Sequence, residues 1–150
     1  MKRLIYISIF LSLVFSACVK DDFCIEETTP KLIIRFYDQD DHSATKTVSG
    51  LYVWAQGKDT LYKNQSLDSI ALPLDPNEDI TSYHFSSNSL VDQLDISYQR
   101  DFVFVSRSCG YKVVYNQLSV EQLTNNWIHH LTLNNETIDH EATAHIAMYH

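Results

Sequence analysis

In "LVDQLDISYQ", residues 90–99, Leu90, Leu94, Ile96 and Tyr98 fall in phase at a period of two with acids between them. That pattern belongs to a strand with one face on a core and the other in water. The same alternation recurs on both sides. Upstream, "LIIRFYD" places Leu32, Ile34 and Phe36 on one face, and "VSGLYVWAQ" follows the polar stretch 39–47. "GKD" at 57–59 turns the chain into "TLYK", and "SIALPLD" carries Ile70, Leu72 and Leu74 inward until Asp75-Pro76-Asn77 breaks it. Pro73 lacks the N–H that a ladder needs, which assigns that strand to a sheet edge. "ITSYHFS" supplies the strand before residue 90.

Downstream, Arg100-Asp101 reads as a turn into "FVFVSRSC", and "YKVVY" continues from Gly110. "SVEQLTNN" reads as one short helical turn. The last two strands, "NWIHHLTL" and "TIDHEATAHIAMY", flank the turn-forming Asn134-Asn135. The expected fold is all-β: an antiparallel β-sandwich of Ig-like or Greek-key type, with nine or ten short strands and one short helical turn. A closed barrel is the alternative.

Met1–Ala17 has a basic start at Lys2 and Arg3, an apolar run from Leu4 to Phe15, and the small residues Ser16 and Ala17. This is the form of a secretory signal, and the run is short of the roughly 18 residues that cross a membrane. Phe15-Ser16-Ala17-Cys18 resembles a bacterial lipobox, which implies acylation of Cys18 and cleavage before it. Lys20, Asp21 and Asp22 then resemble the lipoprotein export signal of Bacteroidota, which implies the outer leaflet of the outer membrane. The expected organisation is a signal peptide at 1–17, a lipid-anchored tether at 18–30, and a single domain at 31–150.

The full chain carries a formal charge of −8, and loss of Lys2 and Arg3 with the leader (−8 − 2) leaves −10. So acidic a chain lacks the clustered cations that phosphate backbones demand, so nucleic acid is not an expected partner. With Cys18 acylated, Cys24 and Cys109 remain in an oxidising compartment and are expected to pair. The competing role, Cys109 as a nucleophile, needs a free thiol and a base, and no base is identifiable.

Signatures of enzymes are missing: there is no G-x-S-x-G, H-E-x-x-H or C-x-x-C, and glycine is too scarce for a phosphate-cradling loop. No enzyme activity and no cofactor are expected. Asp75, Asn77 and Asp79 have the alternate spacing that suits calcium, as does the acidic loop at Asp38, Asp40 and Asp41, but solvated turns are the expected reading of both. Five of seven histidines lie between His129 and His150. A two-residue hairpin at Asn134-Asn135 would set Leu131 opposite Ile138 and His129 opposite His140, whereas a four-residue loop would set Leu131 opposite His140. Two imidazoles do not close a zinc site, and unliganded strand histidines are expected. Trp54, Trp127 and nine tyrosines could stack on sugars or fill a core. "DTL" and "DSI" resemble a Bacteroidota O-glycosylation motif, which would make Thr60 and Ser69 acceptors.

"CIEETTPKLIIRFYD", "SIALPLD", "SCGY" and the final "NWIHHLTLNNETIDHEATAHIAMYH" together resemble an uncharacterised family of Bacteroidota outer-membrane lipoproteins, a domain of unknown function. The resemblance implies a β-rich fold, an outer-membrane location facing the cell exterior, and association with an outer-membrane β-barrel protein. It brings no catalytic residues. The reading that follows is a non-enzymatic accessory or interaction subunit, with a glycan- or metal-binding surface module as the alternative.

Overall fold

Alternating apolar residues leave water when two sheets close their inner faces on each other or when one sheet closes on itself. A computed structural model describes Cys24 and residues 28–150. The leader at 1–17, Cys18, Lys20, Asp21 and Asp22 lie outside the described residues.

The strands are β1 (Leu32–Tyr37), β2 (Val48–Ala55), β3 (Thr60–Leu67), β4 (Ser69–Leu72), β5 (Ile80–Ser87), β6 (Leu90–Ser106), β7 (Gly110–Leu123), β8 (His130–Leu133) and β9 (Ile146–Tyr149). They form two open sheets, one in the order β4-β1-β9-β8 and one in the order β3-β2-β5-β6-β7. The fold is an all-β sandwich. Its pairings are antiparallel except for β1 with β9, which run parallel from Ile34↔Ile146 to Tyr37↔Tyr149. As Pro73 implies, β4 is an edge strand, and the proline lies just past its end.

The core takes Leu32, Ile34 and Phe36 from β1, Ile70 and Leu72 from β4, and Ile146 and Met148 from β9. Tyr83 and Phe85 of β5 and Leu94, Ile96 and Tyr98 of β6 meet them from the other sheet. Outward-facing Tyr149 of β9 is also buried, covered by the rings of Tyr37, His42 and His130 at 5.7, 4.2 and 5.6 Å.

Four sequence expectations are corrected. Arg100-Asp101 is not a turn: β6 runs straight through it, with Arg100 opposite Tyr115 and Asp101 opposite Val114. The turn comes at residues 107–109. "SVEQL" is not helical, because β7 continues to Leu123, and among the described residues there is no helix. Its three-residue spacing of Val120 and Leu123 reflects a bulge, which skips Glu121 while Ile96 faces Val120 and Leu94 faces Leu123. Gly50, at φ +63°, sits at a similar shift in β2 and lets Val48 and Leu51 both point inward.

The final hairpin is neither of the two expected. Leu131 faces Met148 rather than Ile138 or His140, and residues 134–145 form a long connection. Ile138 is fully buried and exchanges two backbone hydrogen bonds with Tyr115 of β7, which draws it out of any pairing with β8.

The fourth correction concerns Asp92. It falls in phase with Leu94 and is fully buried, while Leu90 stays exposed. Its Oδ1 accepts from Thr124 Oγ1 at 2.9 Å and Asn126 N at 2.7 Å; its Oδ2 accepts from Trp127 N and Ile128 N, both at 2.8 Å. A carboxylate with four donors keeps its place in a core where an unpaired one could not. Removing it would strand the N–H groups of Trp127 and Ile128 in an apolar site, a cost of 1–3 kcal/mol or so for each group. Asp92→Ala should therefore lower the unfolding free energy by about 3–5 kcal/mol, read from urea titration followed by tryptophan fluorescence. A loss below about 1 kcal/mol would contradict this role.

Candidate functional site

The surface feature that stands apart is the arm made by the outer halves of β6 and β7. β5 pairs with β6 only as far as Ser97, opposite Ile80. From Gln99 onward β6 pairs with β7 alone. Arg100 braces the base: its Nε and Nη2 lie 2.9 and 2.8 Å from Asp79 Oδ1, and its Nη1 donates to Pro76 O at 3.0 Å. Beyond it Phe102 faces Val113 and Phe104 faces Tyr111, extending the inner-face stripe of Tyr98 and Tyr115 past the opposing sheet. Phe102, Phe104 and Tyr111 are 58%, 57% and 67% exposed. The Phe104 and Tyr111 rings meet edge to face at 5.4 Å.

At the tip, Cys109 is joined to Cys24 by a disulfide with a Cα–Cα distance of 4.9 Å, the pairing expected from the sequence. The turn is closed by Cys109 N donating to Ser106 Oγ at 3.1 Å, and Gly110 takes φ +73° there. Thr29 lies at the free edge of β7, where Val113 N donates to its Oγ1 at 3.0 Å. Further along that edge, Leu118 N donates to Glu136 O. An edge strand so covered offers fewer unpaired groups to another chain.

The calcium candidates do not converge. Asp75 Oδ1 accepts Asn77 N at 2.9 Å in a local turn, and Asp79 is held by Arg100. In the other acidic loop Asp38 Oδ1 accepts Asp40 N, while its Oδ2 meets Lys46 Nζ at 2.8 Å. Those hydrogen bonds, that from Lys46 foremost, bring the Asp38 carboxyl down to about 2. Thr60 and Ser69 open the edge strands β3 and β4, half-buried opposite Trp54 and Arg35.

The histidines separate as well. His129 N donates to Tyr149 O beside β8, whereas His140 lies in the long connection with its ring 6.1 Å from that of His145. His145 is fully buried, and its Nδ1 accepts from Ile33 N at 3.0 Å. That bond places the ring proton on Nε2, which leaves Nε2 without the lone pair a metal needs. Sequence reasoning missed this structural role, because nothing in "TAHIAMY" marks one histidine as a β1 partner.

Four of the nine tyrosines also have a structural use. Where Pro73 interrupts the β4 ladder, Tyr62 bonds both N and O of Ala71, Tyr83 donates to Pro73 O, Tyr115 to Leu74 O at 3.0 Å and Tyr98 to Asp75 O at 2.9 Å. The Tyr62 hydroxyl satisfies Ala71 within edge strand β4, and the other three satisfy backbone past its end. Burial raises the pKa of Tyr83 and Tyr98 and takes that of Tyr115 to about 12, so all three stay protonated donors at neutral pH. Trp127 is buried, with Nε1 donating to Phe85 O at 3.1 Å. Trp54 instead lies on the outer face of the five-stranded sheet, stacked on His84 at 5.3 Å and two residues from exposed Tyr52.

Two measurements check these assignments. The disulfide closes a loop of 85 residues, so Cys24→Ser with Cys109→Ser should lower stability by about 4 kcal/mol in denaturant titration. An unchanged midpoint would contradict that. His145 and His150 both have pKa values held below the ordinary histidine value, chiefly by burial. The unfolded chain therefore binds protons more readily than the folded one. Their contribution to stability is whole above about pH 6.5 and falls as the pH drops toward the depressed folded values. The protein should unfold at lower urea at pH 5.5 than at pH 7.5, and His145→Gln should narrow that gap.

A family model described as "Family of unknown function (DUF6452)" matches residues 50–150, from within β2 through β9. No curated protein and no solved structure matches the chain. With two thirds of its length matched, the chain belongs to this family of unknown function, DUF6452.

Proposed function

We propose that the protein is an outer-membrane lipoprotein facing the cell exterior, anchored through acylated Cys18, and a non-enzymatic accessory subunit beside a membrane-embedded partner such as an outer-membrane β-barrel protein. The observation that carries this reading is the Cys24–Cys109 disulfide. It joins the chain six residues beyond Cys18 to a strand pair of the sandwich, so a pull through the tether is borne by a covalent bond rather than by a fraying terminal segment. The lipobox-like Phe15–Cys18 and the acids after Lys20 support the anchor and its outward destination. A structural use for the polar interior is supported by Asp92 and the tyrosine hydroxyls, which hold backbone groups.

A second reading, a glycan-binding surface module, is favoured by one observation. Tyr52, Trp54 and His84 form an aromatic row on the outer face of the five-stranded sheet, beside polar Ser82 and Ser86.

Labelled palmitate and protease treatment of intact cells test the anchor and the export. The wild-type chain should take up palmitate and be cleaved from outside; Cys18→Ala should lose the label and stay unprocessed. Asp21→Ala with Asp22→Ala should keep the label and become protected until the outer membrane is broken. Persistent labelling of Cys18→Ala would sink the anchor, and unaltered protease access in the double variant would sink the export signal.

A further inference from the structure

Apolar groups on the arm are exposed on both of its faces. Phe102, Phe104 and Tyr111 lie on the inner side, and Val103, 38% exposed and opposite Lys112, lies on the other. Among the described residues no sheet or helix packs on this two-stranded extension, which then has little of its own to stabilise it in water, and aromatics at its tip add to that cost. The charge there is equally particular. In a chain expected to carry −10, residues 102–113 contain no acid and two cations, Arg107 and Lys112. Aromatic rings flanked by long cationic side chains are what a lipid headgroup region accommodates: the rings sit at the boundary and the cations extend to phosphates.

Tether length identifies the surface. Cys18 and Cys24 are six residues apart, a span of at most about 20 Å fully extended. With the 4.9 Å between the Cα atoms of the disulfide added, Cys109 is kept within about 25 Å of the point where acyl chains at Cys18 would enter the bilayer. Phe104 and Tyr111 face each other two residues along the strand from Cys109, about 7 Å further. A tether this short leaves little room for another layer between tip and membrane.

We propose that the tip formed by Phe102, Val103, Phe104 and Tyr111 docks on the phosphate-bearing lipid surface that holds Cys18, with Arg107 and Lys112 meeting the headgroup phosphates. This rests on the reading of Cys18 as a lipid anchor. The lipid anchor and the apolar tip then act as two linked attachments, each raising the effective concentration of the other at the membrane.

Photo-crosslinking in intact cells tests it. The full-length chain is made with p-benzoylphenylalanine in place of Phe104, and in a second strain in place of Leu61, an equally apolar exposed residue on the opposite edge strand β3. After irradiation the mass of the purified protein is read, with a non-reducing peptide map to show that Cys24–Cys109 has formed. Lipid adducts at position 104 at least ten-fold above those at position 61 are expected. Protein adducts at position 104, or no adducts there, would overturn the docking. If the chain altered at Phe104 fails to form the disulfide, the same analogue at Tyr111 is read by the same criteria. The acyl mass on Cys18 is measured in the same sample. Its absence overturns the anchor reading and with it the docking, whereas its presence without lipid adducts overturns the docking alone.

Discussion

The Asp92 carboxylate is the constraint on which the crossing between the sheets depends. By gathering the N–H groups of Asn126, Trp127 and Ile128 with the Thr124 hydroxyl, it fixes the path by which the chain leaves β7 and enters β8. Gln93 reinforces it, donating from its N–H to Thr124 Oγ1 at 2.8 Å and accepting from Thr124 N at 3.0 Å. With that turn set, the Trp127 ring lies over Phe36, with centroids 6.4 Å apart, and Ile128 is fully buried. A polar group at the end of the buried stripe of β6 thus sets how the second sheet meets the first. Its value lies in orientation as much as in stability, since an apolar side chain would fill the space without specifying the turn.

The tyrosines solve a related problem at the β4 edge. Pro73 ends the ladder and protects the edge from pairing with another chain, yet it leaves successive carbonyls facing inward. Hydroxyls reaching across from β3, β5, β6 and β7 complete them. Four of the aromatics that could have signalled a sugar platform are thus spent on holding one irregular segment.

The inward residues of β1, β4, β5 and the middle of β6 were legible because strict alternation exposes them one by one. The disulfide was legible from the cysteine count and the compartment that the leader leads one to expect. What escaped notice depends on distant partners or on shifts of register, neither of which alternation encodes. Asp92 reads as one of the acids between apolar residues until its four donors, 32 to 36 residues away, are seen. Ile138 reads as a hairpin residue until its bonds with Tyr115 place it beside β7. Bulges had the same effect on β7, where an extra residue made a strand resemble a helical turn. The arm was the opposite case: "FVFV" reads as core, and only its position beyond the last β5 partner shows that the opposing sheet does not reach it.

The parallel pairing of β1 with β9 has a consequence for timing. Its partners are separated by more than a hundred residues, Ile34 with Ile146 among them, and β9 lies between β1 and β8 in its sheet. The four-stranded layer therefore cannot assemble until residues 146–149 are available, and long-range parallel closure of this kind is slow because loop entropy is lost before any contact is gained. In a chain made from its N-terminus, β1 and β4 therefore exist long before the strand that joins them to β8. The order of the strands thus makes closure of this layer a late step, one that waits on β9 however early the five-stranded sheet forms.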